Sequence, residues 1–250
     1  MAFADFLCPS CALFLDFDGT LVDLAQQPES ITIPHGLVET LARLQRQLDG
    51  AVAVVSGRPI AQIDRFLEPL TLCVAGVHGA ERRRADGTMT WLPLVPMAAV
   101  ETAARALAQD HPPLQVEAKR GSVAVHFRQE PSLGPLCERT MQDAVARTPG
   151  LALLRGKMVV EAKPARACKG RAILDFLEEA PFRGRTPVFI GDDVTDEAGF
   201  CAVQALGGLG VKVGDGPSAA AERLASPADM RVTLEQALGP DTRSCTGGLR

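Results

Sequence analysis

Asp16 and Asp18 stand two residues apart in Asp16-Phe17-Asp18-Gly19-Thr20. Carboxylates at that spacing project to the same side of an extended backbone. Their closeness is unfavourable unless a cation lies between them or one holds a proton. A divalent metal meets the first condition and acid/base chemistry meets the second. Ser56-Gly57-Arg58-Pro59 adds a hydroxyl and a guanidinium, and Lys169 adds an ammonium. Gly191-Asp192-Asp193-Val194-Thr195-Asp196-Glu197 adds a dense acidic cluster. Carboxylates, a hydroxyl and an ammonium are what phosphoryl transfer requires, because its catalysis is mostly positioning and charge stabilisation. A strand ending in a plain Asp-Gly turn would also fit Asp16–Thr20, so the elements around each cluster matter.

Those elements have a common form. Ala12-Leu13-Phe14-Leu15 precedes Asp16, Ala51 to Val55 precedes Ser56, and Val188-Phe189-Ile190 precedes Gly191. Short apolar runs ended by Gly-containing polar segments read as buried strands. Leu37, Leu41, Leu44 and Leu48 predict a helix over His35 to Leu48, after Pro34. Further helices are predicted over Ile60 to Leu67 and Cys168 to Leu177. The alternation implies an α/β fold, a Rossmann-like doubly wound parallel sheet. Such sheets bind ligands outside the carboxyl ends of their strands. The three clusters would therefore meet at one sheet edge.

The rhythm breaks between about Pro93 and Lys163. Helices are predicted over Met97 to Asp110 and Leu136 to Arg147. Strands are predicted over Gln115 to Lys119, Val123 to Arg128, Leu151 to Arg155 and Met158 to Lys163. This αββαββ order is an α+β unit inserted into an α/β one, and two similar αββ units argue against a long decorated loop. The expected organisation is a catalytic core of residues 1–92 and 164–238, an inserted cap of 93–163, and a disordered tail of 239–250. Residues 93–163 carry a net +2 and the remainder −6. A basic lid over an acidic site suits an anionic substrate.

Composition bounds the alternatives. The 250 residues are 46% hydrophobic, enough for one large core or two modest ones. No apolar run approaches the ~20 residues that span a bilayer, and Met1 to Ser10 lacks the basic start of a signal peptide. No membrane partner is expected. A net charge of −4 argues against nucleic acid as a partner. Seven Cys without a disulfide pattern suit a reducing cytoplasm. Cys8-Pro9-Ser10-Cys11 looks like half a zinc site or a redox pair, but no second pair completes it. Oligomeric state is not legible.

Four ordered motifs resemble those of the haloacid dehalogenase-like phosphatases: Asp16-x-Asp18-Gly19-Thr20, Ser56, Lys169, and Gly191-Asp192-Asp193-x-x-Asp196. Gly76-Val77-His78-Gly79-Ala80-Glu81, Val116-Glu117-Ala118-Lys119, His126-Phe127-Arg128 and Gly156 to Pro164 narrow the likeness. With Gly191 to Glu197, they are similar to the trehalose-6-phosphate phosphatase family, from about residue 12 to about residue 215.

The resemblance implies roles. Asp16 is the nucleophile and forms an aspartyl-phosphate. Mg²⁺ is held by Asp16, the backbone carbonyl of Asp18 and Asp192; oxygen ligands suit this hard cation and admit Mn²⁺ as well. Asp18 is general acid and base, Ser56 and Gly57 meet the phosphoryl group, and Lys169 offsets its charge. Asp193 and Asp196 support the metal's waters and Lys169. Glu117, Lys119 and Glu161 bind sugar hydroxyls, with Arg128 and Lys157 as weaker candidates. Independently, Glu161 is a lone carboxylate among apolar residues and needs partners. Glu117 and Lys119 share a strand face and could equally be a solvated pair. His78 and Glu81 could simply cap a turn, and His126 reads as a half-buried structural histidine. The expected substrate is trehalose 6-phosphate. The alternatives are another sugar phosphate, of the sucrose phosphate or mannosyl-phosphoglycerate type, and a non-catalytic receiver-like module.

Overall fold

A computed structural model describes residues 8–25, 30–119, 121–156 and 158–238. Lys157 and the tail from 239 onward lie outside them. The first sheet is built around β1 (Cys11–Leu15), all five residues of which are buried. Burial on both faces is why this strand reads as a continuous apolar run rather than an alternating one. Its parallel neighbours are β2 (Val52–Val55) and β10 (Thr186–Gly191). Beyond β2 lies β3 (Cys73–Gly76), and beyond β10 lie β11 (Leu209–Val213) and β12 (Glu222–Leu224). The chain leaves β1 toward β3 on one side and returns through β10 to β12 on the other. The crevice between β1 and β10 is therefore a topological switch point.

Two short strands were not expected. β4 (Glu81–Arg83) and β5 (Met89–Trp91) extend the sheet antiparallel from β3, so it is mixed at that edge. The connecting helices are α1 (Leu37–Gln47), α2 (Ile60–Leu67), α5 (Lys169–Leu177), α6 (Glu197–Ala205) and α7 (Pro227–Ala237). Leu41 and Leu44 of α1, Ile173 and Phe176 of α5, and Met230 and Leu234 of α7 join the strand residues in one apolar core. α1 begins at Leu37 rather than His35, because Gly36 enters it at a left-handed φ of 81°.

A second sheet has the order β6 (Gln115–Lys119), β7 (Ser122–His126), β9 (Val159–Pro164), β8 (Leu151–Gly156), all antiparallel. With α3 (Ala98–Asp110) and α4 (Gly134–Ala146) it encloses its own core. Val123, Val125, Val160 and Ala162 face Val100, Ala104, Cys137 and Met141 there. β7 ends two residues earlier than its pattern suggests. Phe127 N–H leaves the ladder and donates to the Met158 carbonyl at 3.0 Å.

Pairing register fixes the other face of this sheet. Glu117 opposes Ala124, which opposes Glu161, and Lys119 opposes Ser122. Directly opposed residues share a face, as do residues two apart. Glu117, Lys119, Ser122, His126, Glu161 and Lys163 therefore lie on one side and the valine-rich core on the other. Ser122 to Val125 are all buried, so the polar side is covered too.

Candidate active site

Lys169 stands at the first position of α5, where an ammonium meets the unfavourable end of the helix dipole. Two carboxylates offset this. Its Nζ donates to Asp16 Oδ1 and to Asp196 Oδ1, each at 2.7 Å. Asp16 is the first residue beyond β1, and its N–H bonds the Ile190 carbonyl of β10 at 2.9 Å. The remaining Asp196 oxygen, Oδ2, accepts from the N–H groups of Asp192 at 3.0 Å and Asp193 at 2.9 Å. Asp193 is exposed and accepts from Val194 N–H at 2.6 Å, closing a capping box with Asp196. Asp196 is thus committed to Lys169 and to its own turn.

One carboxylate oxygen each from Asp16, Asp192 and Asp196 lie within 4.8 Å of one another. The side chain of Asp18 is not part of this group. Burial, with Asp192 and Asp196 alongside, pushes the Asp16 carboxyl well above its ordinary range despite Lys169. Burial, then Asp196, pushes Asp192 to about 6. Lys169 is shifted down by burial and further up by Asp16 and Asp196, so its ammonium persists. Three carboxylates around one ammonium leave excess negative charge that a cation would relieve. The donors are all oxygen, as a hard cation requires. Gly19 provides the room: a Cβ there would lie 2.2 Å from Asp192 Oδ2. The residues fit Mg²⁺.

Asp18 is held instead by Arg58, whose Nε donates to Oδ2 at 2.6 Å and Nη2 to Oδ1 at 2.8 Å. Such a fork is stronger and more directional than a single bond. Ser56 follows β2, buried, and its Oγ accepts from Arg58 N–H at 3.1 Å. The hydroxyl proton of Ser56 remains available to donate. The loop is braced from the next strand: Val77 N–H bonds the Arg58 carbonyl at 3.0 Å and His78 N–H the Ser56 carbonyl at 2.9 Å. Glu81 does cap a turn, accepting from Ile60 N–H at the start of α2 at 2.6 Å. The His78 ring lies against Gly57, where a Cβ would come within 2.8 Å of it.

On the second sheet, Glu117 Oε2 lies 3.2 Å from His126 Nε2 and 3.3 Å from Lys119 Nζ. The His126 contact, aided by Lys119, holds the Glu117 carboxyl below its usual range. Glu161 is buried and reaches the first sheet's unit, its Oε2 lying 3.6 Å from His78 Nε2. Burial raises the Glu161 carboxyl, but His78, Lys119 and Ser122 more than reverse this and bring it to about 2. Arg128 is exposed in the turn after β7. The structure thus brings Asp16, Lys169, Asp192 and Asp196 together, places Asp18 and Ser56 on Arg58, and sets Glu117, Lys119 and Glu161 on one sheet face.

Other contributors escaped the sequence pattern. Lys212 of β11 is buried and donates to the carbonyls of Asp192 and, at 2.9 Å, Val213. Its signal was a lysine inside an apolar strand. Lys163 shares the polar sheet face, and burial lowers its pKa. It donates to the Ala167 carbonyl, just before α5. Arg58 was legible only as a guanidinium two residues after Ser56.

The fold is that of the haloacid dehalogenase-like proteins. It superposes on a haloacid dehalogenase-like hydrolase from Bacteroides thetaiotaomicron with a TM-score of 0.65 at 16% identity, over 90% of this chain and 98% of that one. Within that class the chain belongs to the trehalose-phosphatase family, whose model matches residues 14–229. It is 40% identical over 226 residues to the trehalose-6-phosphate phosphatase of Escherichia coli (strain K12), covering 90% of this chain and 85% of that one. The C-terminal domain of the C. albicans trehalose-6-phosphate phosphatase superposes with a TM-score of 0.83 at 20% identity, over 96% of this chain and 98% of that one.

Proposed function

We propose that this chain hydrolyses trehalose 6-phosphate to trehalose and phosphate, the last step of trehalose biosynthesis. The observation that carries the reading is the buried Asp16 carboxylate, held by Lys169 at the switch point of the sheet. The Asp16 oxygen not bound to Lys169 attacks phosphorus as the bond from phosphorus to the sugar oxygen breaks. Asp18, freed from one Arg58 bond and protonated from solvent, gives that proton to the sugar oxygen. Asp18 then takes a proton from water, which attacks the aspartyl-phosphate, releasing phosphate and restoring Asp16. Lys169 and the Ser56 hydroxyl stabilise charge on the phosphoryl oxygens. Mg²⁺, bound by Asp16, the Asp18 carbonyl and Asp192, would mask the repulsion between two anions. Asp196 holds Lys169, and Asp193 holds the turn that carries Asp192. Gly57, beside Ser56 in the loop that meets the phosphoryl group, leaves room for the His78 ring.

Residues 93–163 form the cap in this reading, with 1–92 and 164–238 as the catalytic core. Glu117, Lys119 and Glu161 bind the sugar, and Arg128 flanks it. No described helix is long and apolar enough to cross a membrane. The six described cysteines are free thiols, which fits a cytoplasmic enzyme. Phosphate release across trehalose 6-phosphate, sucrose 6-phosphate, mannosyl-phosphoglycerate and glucose 6-phosphate tests the reading. Trehalose 6-phosphate should have the highest kcat/KM. A clear preference for another member would replace the substrate.

A further inference from the structure

Lys212 stands where an apolar residue would serve the fold better. β11 is buried at every position and runs between β10 and β12. Lysine is depleted in strands and is almost never fully buried unless it is paired. Arg58 and Lys169 are also buried, and each lies on a carboxylate. Lys212 does not: among the described residues its partners are two backbone carbonyls, of Asp192 and, at 2.9 Å, of Val213. A buried charge without a counter-charge is costly, so a strand of this kind keeps one only for a use.

The bond to Asp192 shows what that use is. Register sets Lys212 opposite Gly191, the residue before Asp192. The peptide group that joins Asp192 to Asp193 is held at both ends. Its carbonyl accepts from Lys212 Nζ, and its N–H donates to Asp196 Oδ2 at 2.9 Å. The peptide group before it is held through Asp192 N–H, which donates to the same Oδ2 at 3.0 Å. A peptide group is planar, so fixing those on both sides of Asp192 fixes its φ and ψ. Its side chain then leaves the backbone in one direction. That direction is toward the loop after β1, where Thr20 Oγ1 donates to Asp192 Oδ1 at 3.3 Å and Gly19 leaves room for Oδ2. An ammonium close to a metal site also repels the metal. Acting through charge alone, Lys212 would weaken metal binding; acting through the Asp192 carbonyl, it would strengthen it.

We infer that Lys212 is a positioning residue for the Asp192 carboxylate: by holding the Asp192 carbonyl it fixes the turn that presents this carboxylate to Mg²⁺, and the gain exceeds the repulsion of its own charge. The inference rests on the metal site of the proposed function and adds to it a support from a strand outside the four motifs. Groups that hold metal ligands in place typically contribute ten- to hundredfold in metal affinity.

The test is calorimetric titration of Mg²⁺ into the substrate-free protein, well below its Tm, for wild type, Lys212→Met and Lys212→Arg. Lys212→Met removes donor and charge and should raise the Mg²⁺ Kd about ten- to hundredfold. The Mg²⁺ concentration for half-maximal turnover of 4-nitrophenyl phosphate should rise by the same factor. Lys212→Arg keeps a donor and the charge and should recover most of the affinity. A purely structural role would lower the metal-free Tm and leave the Kd as it is. If Lys212→Met does not fold, Lys212→Gln, a shorter and neutral donor, takes its place, and its Kd should also rise. An unchanged or tighter Mg²⁺ Kd in the folded variant, beside a wild type that binds Mg²⁺, would overturn this inference alone. A wild type that binds no Mg²⁺ would end the metal reading of the proposed function and this inference with it.

Discussion

At the carboxyl end of β1, Lys169 divides its ammonium between Asp16 and Asp196, and the second oxygen of Asp196 is taken by two backbone N–H groups. Arg58 grips both oxygens of Asp18. On the polar face of the second sheet, Glu161 Oε1 and Ser122 Oγ are buried with no hydrogen-bond partner among the described residues. Core and cap use similar side chains to opposite ends. In the proposed reading the groups at the end of β1 would be aimed at a charge that develops during reaction, so they would gain by being fixed beforehand. In the proposed reading the groups on the second sheet would bind a hydroxylated molecule, so they would gain by being left for it to complete, and an analogue lacking those hydroxyls would leave them unpaired.

The strongest way to break this contrast is at the core. Asp16→Asn should bring hydrolysis of both sugar and aryl phosphates to background with the fold intact; turnover by the folded variant would end the covalent mechanism. Lys169→Met should cost ~10²–10³-fold or more on both substrates. It also leaves Asp16 and Asp196 buried without a counter-charge, so chemical denaturation should show a loss of ~3–5 kcal/mol.

Metal removal should act on both substrates as well. EDTA should abolish turnover and Mg²⁺ restore it. Mg²⁺ should raise the Tm of wild type but not of Asp192→Asn. Asp192 has a folded pKa of about 6 against an ordinary 3.8. Its raised value means that the metal-free protein loses stability as pH rises from about 4 to about 6. Saturating Mg²⁺ should remove that loss. A metal-free stability flat across this window would show that the carboxylates do not strain one another.

Asp18 and Arg58 sharpen the comparison, since their effect depends on the leaving group. Asp18→Asn should cost ~10²–10⁴-fold on a sugar phosphate and far less on 4-nitrophenyl phosphate, whose leaving group needs no proton. Arg58→Lys loses the fork and should cost about tenfold on the sugar phosphate, roughly one charged hydrogen bond. Equal losses on both substrates would remove Asp18 from proton transfer.

The smallest effect concerns Glu161 alone. Its folded pKa of about 2 lies below the ordinary 4.5, so it contributes stability above pH 4.5 that is lost as pH falls toward 2. Glu161→Gln should flatten that part of the acid unfolding curve by up to ~3 kcal/mol. An unchanged curve would show that the carboxylate is not held by His78 and its neighbours.

Much of the core was legible because its signals are local. An apolar run ending in Asp-x-Asp-Gly places Asp16 at a strand end without knowledge of the rest of the chain. β4 and β5 were not legible, being three residues each with charged or mixed side chains and no alternation. The bond from Lys169 to Asp16 spans 153 residues, and no spacing announces it. Glu161 shows the limit most clearly. Its apolar neighbours signalled that it needs a partner, but the partner, His78, lies in the other unit and reaches it through a backbone conformation that no residue pattern records.

The division of labour is tested most directly by kcat/KM for trehalose 6-phosphate and for 4-nitrophenyl phosphate, measured in Glu161→Ala and Lys119→Ala beside wild type. Each lost sugar contact should cost ~1–3 kcal/mol, roughly ten- to hundredfold, on the sugar phosphate. The aryl phosphate, which uses only the core, should change by no more than about threefold, under the ~1 kcal/mol expected of a lost contact. Parallel losses on both substrates would contradict the account, because the cap face would then serve structure or catalysis rather than recognition.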